Sequence, residues 1–126
     1  MSNERITSFT KLDTWQQSHR LVVAIFEIYN KLPRSDSLRN QTERSAVSIT
    51  SNIAEGFGRQ SLQDKKHFYI MARGSAYELQ NQLLIARDTK KISQEDFQRL
   101  SILSLDSLRL LHGLIRSLTN AKNANS

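Results

Sequence analysis

The residues with the most chemical capacity lie on one face of a single segment. Gln41, Arg44, Ser48, Asn52, Glu55 and Arg59 follow one another at steps of three or four residues, which on a helix stacks them into one stripe. A guanidinium, a carboxylate, a carboxamide and a hydroxyl in one row can grip a polar ligand or partner through charge-assisted hydrogen bonds. The same row can also serve the fold, with Asn52 and Glu55 bonding to a following helix. A buried Glu is costly without a counterion. On this second reading Arg44, Ser48, Asn52, Glu55, Arg73 and Glu78 form one internal polar network, and Asn52 and Glu55 are largely buried. A hairpin turn near residues 58–60 sets Ser48 opposite Met71 and Ser45 opposite Ser75. The small residues Ser45-Ala46 and Gly74-Ser75-Ala76 then allow close backbone approach, against the ~1 kcal/mol that a mid-helix glycine costs.

Other chemistry finds little support. His19, His67 and His112 fall on three different helices, and only Asp64-x-x-His67 has the spacing of a helical metal half-site, where such sites need paired motifs. No metal, cofactor or catalytic residue is expected. Gly56-x-Gly58-Arg59 reads as a helix terminator and not as a phosphate loop, because no strand precedes it. There is no Cys, which rules out disulfides and thiolate metal sites and fits a reducing cytoplasm. Neither a signal peptide nor a membrane span is expected, because the longest apolar run is Leu21–Phe26. The expected location is cytoplasmic.

Charge is the remaining clue. The chain carries +6 with a pI near 10.0, compatible with a polyanionic partner but not specific to one. Folded as below, Lys11, Arg59, Lys65, Lys66, Arg116 and Lys122 gather near one end. Lys31, Arg34, Arg39, Arg87, Lys90 and Lys91 gather near the other. The candidate nucleic-acid contacts are Lys11, Arg59, Lys65, Lys66, Arg116, Lys90 and Lys91. Phe57 is the one exposed ring suited to stacking, so contact should be with phosphates and not with bases.

Four amphipathic helices must position these groups. Trp15, Val22, Ile25, Phe26, Tyr29 and Leu32 recur at helical spacing after a capping Asp13, and Pro33 stops that helix. Ser35-Asp36-Ser37 offers the next cap, Ser61-x-x-Asp64 a capping box with Asp for Glu, and Ser93-x-x-Asp96 another. Helices are expected over 14–32, 36–57, 62–89 and 94–119, within a bundle spanning 13–119. Residues 1–12 form a lead-in and 120–126 a flexible tail. Short links make sequence neighbours antiparallel, giving one all-α, up-down-up-down four-helix bundle. Only four Gly and one Pro interrupt the chain. On the fourth helix Ile102, Leu105, Leu108 and Ile115 lie beside the core stripe and widen its apolar arc beyond the ~100° a bundle helix needs. They are the candidate oligomer interface.

The run Gln41-x-x-Arg44-Ser45-Ala46-Val47-Ser48-Ile49-x-Ser51-Asn52-Ile53-Ala54-Glu55-Gly56-x-Gly58-Arg59 resembles the hallmark of the proteins encoded in intervening sequences of bacterial 23S ribosomal RNA genes. Ala72-Arg73-Gly74-Ser75-Ala76-x-Glu78-Leu79-x-x-Gln82-Leu83 and Leu12-x-x-Trp15-Gln16 resemble two further motifs, so the likeness covers about residues 9–119. Thr50 stands where the family usually has Pro, Glu43 where a second Arg is common, and Ser45 where Ala is common. The resemblance implies a four-helix bundle assembled as a homopentamer around a central channel. It also implies distant kinship with accessory variability proteins of diversity-generating retroelements, whose partners are a reverse transcriptase and nucleic acid. It implies no catalysis. The expected function is thus a non-enzymatic, oligomeric accessory or scaffold that holds RNA or DNA by its backbone. The alternatives are a protein–protein adaptor with an incidental basic surface, or a passenger of an rRNA intervening sequence without host function.

Overall fold

The computed structural model describes residues 9–124, with side chains through residue 121. A single 3-10 turn at Phe9–Lys11 leads into four helices: α1 (Asp13–Tyr29), α2 (Ser37–Phe57), α3 (Leu62–Asp88) and α4 (Gln94–Ala124). There is no strand among the described residues. The expected lead-in and tail fall partly outside them, at residues 1–8 and 125–126, as does the side chain of Lys122.

Local chemistry explains most boundaries. Asp36, Ser61 and Ser93 each accept a hydrogen bond from the backbone N–H three residues on, at 2.9, 3.0 and 3.0 Å, which satisfies a donor that the first helical turn leaves orphaned. Asp13 is not a cap: it is the first helical residue of α1, and Leu12 precedes it without a side-chain bond. The lead-in is held instead by Gln16, whose Nε2 donates to the Thr10 carbonyl at 2.9 Å. Helix α1 also ends three residues earlier than expected. The restriction that Pro33 places on Leu32 is absorbed by a turn in which the Leu32 N–H bonds the Tyr29 carbonyl at 3.0 Å. In contrast, α4 runs five residues beyond position 119, because neither Gly nor Pro stands there to stop it. Lys90 closes α3 in the left-handed region at φ 61°. The N–H groups of Lys90 and Lys91 return to the carbonyls of Arg87 and Ala86 at 3.0 and 2.8 Å, a Schellman closure made without glycine.

Each helix packs on its sequence neighbours, and α1 packs on α4, while among the described residues the backbones of the diagonal pairs, α1 with α3 and α2 with α4, stay apart. This is the up-down-up-down arrangement. The core is built from Leu21, Ile25 and Tyr29 of α1, Ala46, Ile49 and Ile53 of α2, Ala72, Ala76, Leu79 and Leu83 of α3, and Leu100 and Leu111 of α4, all buried. Tyr29 lies so deep that desolvation pushes its phenol up to about 12. Two helices are pinned by a buried hydroxyl pair absent from the sequence reading, Ser18 Oγ and Ser107 Oγ at 2.6 Å. No helix among the described residues is long and apolar enough to cross a membrane.

Gly56 is required by packing. A Cβ there comes within 2.8 Å of Tyr69 Cε1 and 3.0 Å of Phe68 Cβ, because the first turns of α3 press on the last turn of α2. Alanine at an unhindered helical site gains up to ~1 kcal/mol over glycine, so the sign of the change is diagnostic. Gly56→Ala is expected to destabilise the fold by about 1–3 kcal/mol through overpacking. A urea unfolding curve moved to higher midpoint would contradict this.

Candidate functional site

The polar stripe of α2 faces α3 only in part. Ser48 Oγ and Ser75 Oγ share a hydrogen bond of 2.8 Å, and Asn52 Nδ2 donates to the Ser48 carbonyl and hydroxyl at 2.9 and 3.2 Å. Ser48 thus meets Ser75 and not Met71, a slip of one helical turn from the expected register. The cause is the link between the helices, which stays turned at Gly58, with the Arg59 N–H on the Gly56 carbonyl at 3.1 Å, and is extended at Ser61 (φ −85°, ψ 150°), so the hairpin pivots later than residues 58–60. Glu55 corrects the network reading outright. It lies about 120° around the helix from the buried Ile49, its side chain is 52% exposed, and it pairs with Arg59 one turn on at 2.7 Å. Asn52 is half-buried and bonds within its own helix. Arg44 and Glu78 are exposed, and Arg73, though half-buried, bonds to none of them. Exposed i,i+4 pairs contribute little. Glu55→Ala is therefore expected to cost less than about 1 kcal/mol, measured by thermal unfolding. A loss of several kcal/mol would restore the buried network.

What α2 and α3 do enclose is a groove of about 250 Å3 lined by Gln41, Arg44, Ser45, Ser48, Glu78 and Gln82. Gln82 belongs to the apolar side of α3, between Leu79 and Leu83, and entered the sequence reading only as one position of the second family motif.

The cations divide into committed and free. Arg59 pairs with Glu55 and stacks over Phe68 at 4.6 Å. Lys65 donates to the Phe57 carbonyl at 2.6 Å and sits 5.3 Å from the Phe57 ring centre. Phe57, expected to be an exposed stacking ring, is half-buried and covered by that lysine. Lys91 bonds Asp36, and this bond with the Arg39 amide holds the Asp36 carboxyl below its usual range. Arg39, placed with the surface cations from sequence, is 6% exposed and paired to Glu43 at 3.2 Å. Its Nη1 also donates to the Leu32 carbonyl, clamping α2 to the end of α1. Among the described residues Lys11, Lys66, Lys90 and Arg116 make no ion pair. Antiparallel packing puts three of them, Lys11, Lys66 and Arg116, at the end where α1 and α3 begin and α4 finishes.

The apolar surface is also redrawn. Leu108 and Ile115 are each 7% exposed and belong to the chain's own core. With the fully buried Ser104 and Leu111 they form one inward row, 104, 108, 111 and 115, at steps of four and three residues. Ile102 and Leu105 face outward, 61% and 57% exposed. They are continued on both flanks: Val23 of α1 borders the groove that holds Ile102, and Leu84 of α3 borders the one that holds Leu105. Ile70, Tyr77 and Leu84, at a seven-residue spacing, extend the exposed face along α3. That spacing was present in the sequence, but the stripe of Phe68, Ala72, Ser75, Leu79, Leu83 and Ala86 on the same helix masked it.

Comparison with known proteins is consistent with this geometry. The profile of the 23S rRNA-intervening sequence proteins matches residues 10–113. A crystal structure of a protein with unknown function from the S23 ribosomal protein family of Bacteroides thetaiotaomicron has the same fold, with a TM-score of 0.78 and 25% identity, over 82% of this chain and 95% of that one. No curated protein matches the chain.

Proposed function

Because this chain belongs to the 23S rRNA-intervening sequence protein family, we propose that it is a non-enzymatic, self-assembling helical scaffold that holds nucleic acid by its phosphates. The observation that carries the reading is the outward apolar face of Ile102 and Leu105, bordered by Val23 and Leu84. Contiguous exposed apolar surface of this kind is a contact surface in soluble proteins. Assembly then multiplies charge. Five copies of a +6 chain, the number that the family resemblance implies, carry +30, and each end of the ring repeats Lys11, Lys66 and Arg116 or Lys90. Phosphate affinity grows with the number of neutralised charges.

The scarcity of exposed rings keeps this contact on the backbone. Phe57 and Phe68 are already covered by Lys65 and Arg59, and the rings that do stand exposed among the described residues, Phe26 and Tyr77, offer base stacking only two platforms. Binding is thus length-dependent and indifferent to sequence. A gel-shift titration of duplex RNA and DNA of several lengths tests the reading. Length-dependent shifts at low salt support it, and no shift at any length contradicts it in favour of an adaptor or a passenger protein.

A further inference from the structure

The outward apolar face of α4 is bordered on its α1 flank by a titratable ring. His19 lines the same groove as Val23 and Ile102, together with Arg20, Glu27 and Arg99, and lies one helical turn before Val23. Its imidazole is exposed and stacks on Trp15, with ring centres 4.5 Å apart and planes 12° from parallel. The lead-in turn packs on the edge of Trp15 through Phe9 at 5.5 Å and brings Lys11 to this end of α1. Because Ser18 and Ser107 touch at 2.6 Å, their neighbours His19 and Asp106 stand at the same level of the two helices. Asp106 holds Arg109 at 3.0 Å, and Glu27 holds Arg99 at 3.7 Å. Arg20 and Arg99 against Glu27 leave the groove with one net positive charge, and a proton on His19 adds a second.

In a separated chain that second charge is well placed. An imidazolium there has the face of Trp15 beneath it, the Asp106 carboxylate at its level, and water around it. Under a second copy the same charge is taken out of water, against Val23 and Ile102 and beside Arg20 and Arg99, which is unfavourable. Histidine is the side chain whose charge ordinarily changes between pH 5 and 8. Given self-assembly through Ile102 and Leu105, on which this reading rests, we propose that His19 is a proton-operated release for that face. The separated chain takes up the proton and the assembled one excludes it, so assembly holds at neutral pH and is lost as pH falls. His112, the other histidine bordering the face, lies two turns beyond Leu105, its Nε2 3.4 Å from the Tyr77 hydroxyl. The charges nearest to it along α3 and α4 are Arg73, one turn before Tyr77, and Arg109 and Arg116, one turn to either side. These repel a further positive charge in the separated and the assembled chain alike, so His112 does not set the response.

The test is sedimentation velocity of the whole chain over a dilution series at about pH 7.5 and about pH 5.5, either side of the ordinary imidazole value, at one ionic strength. Circular dichroism is read on the same samples. A proton bound only by the separated chain weakens assembly about tenfold for each pH unit below that value. The concentration at which half the chains stand alone is therefore expected to rise about tenfold at the lower pH, with helix content unchanged. His19→Gln, at an exposed position, keeps a polar side chain that takes up no proton and should assemble equally at both. His112→Gln should respond as the parent does. A parent chain that is a 14.5 kDa monomer at about pH 7.5 defeats the assembly reading itself. A parent that assembles there and keeps the same midpoint at about pH 5.5 overturns the release alone. So does a response that survives in His19→Gln, disappears in His112→Gln, or comes with loss of helix.

Discussion

Replacing both Ile102 and Leu105 with Glu is expected to reduce an assembly of several chains to a 14.5 kDa monomer without loss of helix. Both side chains are more than half exposed in the single chain, so the substitutions cost the isolated bundle little. In an interface the same carboxylates would be desolvated without partners, which is strongly unfavourable. The measurement is light scattering alongside circular dichroism. A mass falling about fivefold at constant helicity supports the reading, and an unchanged mass places the interface elsewhere. Leu108→Glu and Ile115→Glu serve as the contrast. Their side chains fill the chain's own core, so they should unfold the protein and not merely disassemble it.

The second large effect concerns salt. If Lys11, Lys66 and Arg116 each neutralise one duplex phosphate, log K falls against log salt by about 0.9 for each. Replacing all three with Ala should flatten that slope by about 2.7 per protomer engaged, the sum of three such contributions, while leaving assembly intact. Lys65→Ala should flatten it less, because Lys65 is already held by the Phe57 carbonyl and ring. Fluorescence anisotropy with a labelled duplex at several salt concentrations reads both. Equal slopes for the parent and triple variant would show that this end does not touch phosphate.

How far the sequence carried these conclusions depended on the range of the interaction. Helix type, number and three of the four N-caps were legible, because apolar spacing and a Ser or Asp three residues before an N–H are local signals; Asp13 was the exception. Ser61 and Ser93 cap as read, but among the described residues neither Asp64 nor Asp96 returns the second bond of a capping box. The register of α2 on α3 was not legible, since it depended on where the Gly58–Ser61 link pivots and not on any residue's preference. Leu108 and Ile115 were misplaced for a related reason: a wide apolar arc does not say which of its edges the neighbouring helices cover. The same holds for the exposed Glu55, whose position on the wheel was assigned to the partner helix when it faced water. Gln82 was legible only as one position of a family motif, because one polar residue in an apolar stripe is informative physically only when its missing partner is seen.

The central claim, that assembled chains hold nucleic acid, is tested most directly by sedimentation velocity of the unmodified protein with a labelled RNA duplex at about 0.15 M salt, near physiological ionic strength. The account predicts that the label sediments with a particle of several chains, close to five times 14.5 kDa plus the duplex, and that excess salt releases the duplex without dissociating the particle. A label that sediments as free duplex beside the protein, or a protein that sediments as a 14.5 kDa monomer, contradicts it.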